Sequence, residues 1–311
     1  MKIDEIANII LHGGVAAFPT ETVYGLGALA FNQDAVKKIF DLKGRPSDNP
    51  LIVHISETEE LQQFADHIPD PALSLAEHFW PGPLTLIVKK KPEVPDVVTG
   101  GLDTVAVRIP GHPLALKLIR KTGPIVAPSA NKSGRPSPTR ASHVHEDFGD
   151  DFPVLDGGET DIGLESTVLD VTSEPYTILR PGKLEPEELQ DACGIPVVYS
   201  KTEQGGPVKS PGLKYSHYKP KANVHWLSDF VQPGDKHVMY VTHSGAAIPS
   251  GKNVIHYSFE HDFAALAKNL YDLFRLADQK NISEIVLEDL PDESGHPLVA
   301  ALKNRIDKAI G

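Results

Sequence analysis

The sequence predicts an α/β protein of two domains, on three observations. Short apolar runs of strand length, such as Val15-Ala16-Ala17-Phe18 and Leu84-Thr85-Leu86-Ile87-Val88, alternate with segments whose apolar residues recur at helical spacing. Several of these runs end directly in loops of Ser, Thr, Asn and Gly, where α/β proteins place their sites. The chain has 311 residues, more than one core usually organises, so a large domain and a smaller one are expected.

Taken in order, Ile3 to His12 reads as a helix, with Ile3, Ile6, Ile9 and Ile10 on one side and Gly13-Gly14 as its stop. The strand Val15 to Phe18 follows and ends in Pro19-Thr20-Glu21-Thr22-Val23-Tyr24-Gly25-Leu26-Gly27, a segment of hydroxyls, one carboxylate and two glycines read as a strand-end loop. Asp34 to Leu42 is a helix. Leu51 to Ile55 is a strand with His54 among apolar neighbours, a setting that favours a hydrogen-bonded core histidine. Glu57 to His67 and Pro71 to Phe79 read as helices, Leu84 to Val88 as a strand. In the strand Asp103 to Pro110, alternation puts Thr104, Ala106 and Arg108 on one face. His112 to Lys121 is a helix. Pro124 to Ala127 is a strand running into Pro128-Ser129-Ala130-Asn131-Lys132-Ser133-Gly134, a second small polar loop able to present backbone N–H groups. A short helix follows from Ser142 to Phe148; its His143 and His145, without carboxylates around them, read as surface residues. Val154 to Gly158 reads as a strand and turn, and Ser166 to Val171 with Tyr176 to Arg180 as a hairpin. Leu184 to Ala192 is a helix.

The character then changes. Lys201 to Pro207 is linker-like, and Ser210-Pro211-Gly212-Leu213-Lys214-Tyr215-Ser216-His217-Tyr218 is unusually aromatic for a linker, so it reads as a loop that docks on something. Beyond it, strands at 237–242, 254–257 and 284–288 and helices at 262–279 and 297–309 form a small α/β layer. The expected domains are therefore 1–205, a linker and lid at 206–234, and 235–311. No G-x-G-x-x-G, P-loop or internal repeat is visible.

Composition narrows the function. Apolar and charged fractions of 40% and 23% are those of a globular protein, and a net charge of -12 argues against a broad nucleic-acid-coating face while leaving room for a local basic cavity. The single cysteine, Cys193, excludes an internal disulfide and a multi-cysteine zinc site. The N-terminal residues lack a signal-peptide layout and no run approaches the ~20 apolar residues of a membrane helix, so a cytoplasmic location with no membrane contact is expected.

Against that acidic background, Lys43-Gly44-Arg45-Pro46 places two cations two residues apart. Gly44 suits a helix stop and Pro46 prevents continuation, so the cations sit on a stiff loop. Lysine acts on phosphate as a point charge and arginine can grip it through two parallel hydrogen bonds, which makes the loop a candidate anion clamp.

Together, Pro19 to Gly27, Lys43-Gly44-Arg45-Pro46 and Pro128-Ser129-Ala130-Asn131 resemble the signature segments of the YrdC-like family, with Lys43, Arg45, Ser129 and Asn131 matching its Lys/Arg/Ser/Asn tetrad. The likeness extends to Thr104, Arg108, Ser166 and Arg180, and the segment from Ser210 to Tyr218 resembles the interdomain loop of the long, two-domain members; Leu213 stands where the family has Met. The resemblance implies a twisted open α/β sheet around a deep basic cavity, joined to a small Rossmann-like domain. It implies threonylcarbamoyl-adenylate synthesis: L-threonine, bicarbonate and ATP, brought with Mg²⁺, give threonylcarbamoyl-AMP and pyrophosphate. The product would pass to the tRNA threonylcarbamoyl-transferase machinery, with tRNA itself a possible partner.

The resemblance further implies that Lys43, Arg45, Asn49, Thr104, Ser129, Asn131, Ser137, Arg180, Tyr215 and Tyr218 hold ATP, that Thr20, His54, Arg108, Ala127 and Ser166 hold threonine, and that Lys43, Arg45, Ser129 and Asn131 are catalytic. The chemistry suits these residue types. A triphosphate of about four negative charges needs concentrated cations and donors, and attack on the α-phosphorus needs positioning more than a protein nucleophile. Mg²⁺ bridging phosphate oxygens requires few protein ligands, in keeping with the lack of a metal motif. His54 is the candidate to accept a proton from the threonine amine, and Tyr215 and Tyr218 are expected to cover the nucleotide and exclude water. Two other classes compete. One is a non-enzymatic double-stranded RNA or tRNA-binding module, disfavoured by an aromatic fraction of only 7%. The other is a carbamoyl-phosphate-dependent transferase, disfavoured by the single cysteine, which rules out its zinc-finger segment.

Overall fold

The computed structural model describes residues 1–200, 218–231, 236–292, 296 and 298–311. The first unit contains, in chain order, α1 (Ile3–Leu11), β1 (Ala16–Phe18), β2 (Gly25–Leu29), α2 (Gln33–Lys43), β3 (Ile52–His54), α3 (Asp70–Phe79), β4 (Leu84–Lys89), α4 (Asp96–Thr99), β5 (Thr104–Arg108), α5 (Pro113–Thr122), β6 (Ile125–Val126), α6 (Ala141–Phe148), β7 (Thr167–Asp170), β8 (Tyr176–Arg180), α7 (Pro186–Cys193) and β9 (Val197–Tyr199). The second contains β10 (Asn223–Trp226), β11 (Val238–Thr242), β12 (Val254–Ser258), α8 (Phe263–Gln279), β13 (Glu284–Leu287) and α9 (Val299–Ile310).

The first unit is built on a mixed sheet in the order β1-β2-β6-β3-β5-β4-β7-β8-β9. Pairs β3·β5, β4·β7 and β8·β9 are parallel and the others antiparallel. Its central strands β4 and β5 are buried almost throughout, so they carry continuous apolar runs rather than alternation. Helix α2 begins at Asn32, whose side chain accepts from the Ala35 amide, and ends at Gly44 in the left-handed region (φ 62°), which turns the chain sharply into the Arg45 loop. The second unit is a parallel sheet ordered β10-β13-β11-β12, with α8 and α9 burying one of its faces in a core of Leu270, Phe274, Ile285, Leu302 and Ile306.

Four expectations are corrected. The segment 57–67 forms only a short 3-10 turn, Thr58–Gln63; the Glu60 carboxylate takes the Ser56 and Glu57 amides, and the chain then leaves to pair Ala65 with Lys90. The tail of the Pro19–Gly27 loop is strand β2: Gly25 and Gly27 lie under the Phe18 ring, where a Cβ would come within 3.1 and 3.0 Å of it. Val154 makes a single bridge to Ala17 rather than a strand. Finally, β10 lies inside the stretch 206–234 assigned to a linker. Its Asn-Val-His-Trp sequence hides an edge strand that pairs residue for residue with Glu284–Leu287.

The units meet through charged contacts on α8. Arg275, 1% exposed, donates to the Pro136 carbonyl (2.6 Å), Glu146 and Asp147. His143 is buried rather than superficial, because its Nε2 lies 3.1 Å from Asp272.

Candidate active site

A cavity opens between the ends of β2, β3, β5, β6 and β8. One wall is made by Thr20, Thr22, His54, Arg108 and Ala127, the other by Arg45, Ser129, Asn131, Arg135 and Ser137, with Glu165, Arg180 and Tyr218 closing it. Among the described lining residues four are arginines, of which Arg108 pairs with Glu21 and Arg135 with Asp147, and Glu165 is the lining carboxylate.

Arg108 projects from the end of β5 and is 3% exposed. Its guanidinium donates from Nε to the Gly82 carbonyl (3.2 Å), from Nη1 to Thr22 Oγ1 (3.0 Å) and from Nη2 to Glu21 Oε1 (2.6 Å). A buried pair of this kind fixes geometry more than it stabilises. Thr20 Oγ1 donates to the Val23 carbonyl (2.6 Å) and accepts from the Thr22 and Val23 amides, so the hydroxyl turn is held by its own side chain.

His54 faces this wall. Burial, then the neighbouring Arg108, pushes its pKa down to about 3, so the imidazole is neutral at physiological pH. With Nδ1 beside the Ile52 carbonyl (3.2 Å) the proton belongs on that nitrogen, leaving Nε2 as an acceptor. An imidazole this hard to protonate offers Nε2 as a hydrogen-bond acceptor, and burial beside Arg108 disfavours it as a general base.

Of the residues expected to hold ATP, Arg45, Ser129, Asn131, Ser137, Arg180 and Tyr218 line the cavity; of those expected to hold threonine, Thr20, His54, Arg108 and Ala127 do. Four do not. Lys43 is 3% exposed and its Nζ donates to the Ser129 (2.5 Å) and Asn131 (2.6 Å) carbonyls, bracing the loop from behind. Burial, then Arg45, lowers its pKa well below the usual lysine range. Asn49 is buried, and neither atom of its side-chain amide has a partner among the described residues. Thr104 is buried at the far end of β5 from Arg108. Ser166 lies behind Arg180, which donates from Nη2 to its hydroxyl (3.0 Å) and from Nε to its carbonyl (3.1 Å). Tyr215 and the rest of 201–217 lie outside the described residues.

Three polar lining residues, Thr22, Arg135 and Glu165, lie outside the expected set. Thr22 and Arg135 stood inside segments already singled out, without a signal separating them from their neighbours. Glu165 adjoins Ser166, but a carboxylate contradicts an anion site until its partners are known. Burial would raise it; Arg305 and Arg180, with a hydrogen bond from Ser137, hold it down to about 2.

Strand-end arginines and neutral hydroxyls around one hollow give an α/β protein whose site suits a small polyanion beside a second polar molecule. A family model covering Sua5, YciO and YrdC, described as telomere recombination, matches residues 8–182; another, described as the threonylcarbamoyl-AMP synthase C-terminal domain, matches residues 184–311. The chain is 45% identical over its whole length to threonylcarbamoyl-AMP synthase of Pyrococcus abyssi, covering 94% of that protein, and 42% identical to that of Bacillus subtilis, covering 93%. A crystal structure of P. abyssi Sua5 complexed with L-threonine superimposes with a TM-score of 0.86 at 43% identity, over 99% of this chain and 94% of the other. The chain belongs to the threonylcarbamoyl-AMP synthase family, in its long two-domain form.

Proposed function

We propose that this cavity converts L-threonine, bicarbonate and ATP into threonylcarbamoyl-AMP and pyrophosphate. The observation that supports it most is the convergence of Arg45, Asn131 and Arg180 with Thr20 and Arg108 on one hollow. The hydroxyl turn, Arg108 and the His54 acceptor take threonine: the guanidinium faces its carboxylate, the neutral imidazole its amino group. The threonine ammonium first loses its proton to solvent; the neutral amine then adds to the bicarbonate carbon and water leaves, giving the carbamate. A carbamate oxygen then attacks the α-phosphorus, and the bond to pyrophosphate breaks. Arg45 and Arg180 neutralise the phosphates and Ser129 helps to hold them, while the Asn131 amide, which donates to the Lys132 and Arg135 carbonyls, shapes the loop around them; catalysis comes through positioning and charge. Lys43 acts by fixing the loop that carries Ser129 and Asn131.

Mg²⁺ enters with ATP in this reading. Glu165 is saturated by Ser137, Tyr271 and Arg305, so the ion draws its ligands from phosphate oxygens and water, and it supplies charge neutralisation. The product serves as the donor for threonylcarbamoyladenosine formation by a tRNA-modifying transferase in the cytoplasm. A double-stranded RNA-binding role fits less well, because the arginines and hydroxyls converge inside a recess rather than along an exposed face that a duplex could lie on. Mass-spectrometric detection of threonylcarbamoyl-AMP in a mixture of the protein with all three substrates tests the proposal; ATP left intact in that mixture overturns it.

A further inference from the structure

A buried carboxylate on the wall of a phosphate site is an electrostatic liability. Glu165 is such a group, and two of the three side chains that donate to its oxygens, Tyr271 and Arg305, come from the second domain. Ser137 Oγ donates to Oε1 (2.6 Å), Arg305 Nε to Oε2 (2.8 Å), and Tyr271 OH lies 3.3 and 3.0 Å from the two oxygens. Arg305 (α9) and Tyr271 (α8) are both fully buried. The Arg305 guanidinium also lies 5.5 Å from the Tyr218 ring, which stacks on Tyr271 at 5.2 Å. Ser137, Glu165, Arg180 and Tyr218 are adjacent parts of the cavity wall.

We propose that Arg305 is a positioning residue for nucleotide binding: it neutralises and orients Glu165, which would otherwise repel phosphate from the wall that carries Arg180. Glu165 in turn fixes the Ser137 hydroxyl. Without Arg305 the carboxylate would keep the Ser137 and Tyr271 hydroxyls but lose its ion pair, and in a low-dielectric wall the under-compensated charge would act strongly on an entering anion. The second domain is thus a component of the nucleotide site, and the carboxylate transmits its presence. Arg305 Nη2 has no hydrogen-bond partner among the described residues.

The inference rests on the cavity being a nucleotide site, and its test is kept apart from turnover. Wild-type pyrophosphate release tests the function; calorimetric binding of a non-hydrolysable ATP analogue with Mg²⁺ tests Arg305. Arg305→Met is expected to weaken the analogue at least tenfold, while threonine binding changes less than threefold. The double variant Arg305→Met/Glu165→Gln is expected to recover at least half of that loss on a logarithmic scale, because the repelling charge is gone. Wild-type affinity in Arg305→Met, or a double variant no better than the single one, overturns the proposal. If Arg305→Met does not fold, Tyr271→Phe keeps the ring and removes only the hydroxyl donor. It is expected to weaken the analogue about threefold with unchanged threonine affinity; equal affinity for the analogue overturns the proposal.

Discussion

The Lys43 ammonium lies 2.6 Å from the Asn131 carbonyl, joining the end of α2 to the loop after β6 across 88 residues of sequence. The lysine is thereby a structural brace of the site. Lys43→Ala leaves two buried carbonyls without donors and is expected to cost about 3 kcal/mol of stability in urea unfolding. Pyrophosphate release is expected to fall roughly a hundredfold as Ser129 and Asn131 lose their positions. An unchanged rate would remove the brace from the account.

His54, with its pKa near 3, stays neutral throughout the range of activity. Its imidazole resonances are expected not to titrate between pH 5 and 8 by NMR, and the pH–rate profile to contain no limb that His54→Asn removes. A titration near 6.5 would contradict the buried, arginine-facing environment described for it.

Glu165 carries a stability signature. Its folded pKa of about 2 lies below the unfolded carboxylate value, so the ionised form is preferred in the folded state. Its contribution is present above the unfolded pKa of about 4.5 and is lost as pH falls towards 2, amounting to about 3 kcal/mol. Denaturant unfolding at a series of acidic pH values is expected to show a steeper loss for the wild type than for Glu165→Gln. Parallel curves would mean that Arg305 and Arg180 do not depress the group.

How far this was legible in the sequence depends on whether a contact is local. The helices with glycine stops, the long apolar strands β4 and β5, and the cationic turn at Lys43 follow from neighbouring residues. So did the membership of Arg45, Ser129, Asn131 and Arg180 in one site, through their matching motifs. Strand β10 was hidden because an edge strand with one apolar face has little pattern of its own. The inward turn of Lys43 was hidden because the carbonyls that capture it lie 86 and 88 residues away. Glu165 and His143 take their partners from the second domain, more than 100 residues on, where no spacing rule reaches.

Gly163 reports on the junction between the units. Its φ is +80°, and a Cβ there would come within 2.5 Å of the Lys268 backbone on α8. Gly163→Ala forces the helix away and strains the backbone, with an expected loss of about 2–3 kcal/mol by thermal or urea unfolding. Because Leu164 and Glu165 follow directly, analogue binding is expected to weaken with it. Full stability in this variant would contradict the close approach of α8.

The most direct measurement is pyrophosphate release from ATP by the purified protein, with L-threonine and bicarbonate each omitted in turn. The account predicts release only when both are present, with threonylcarbamoyl-AMP formed in equal amount. Release that persists without threonine or without bicarbonate would contradict it.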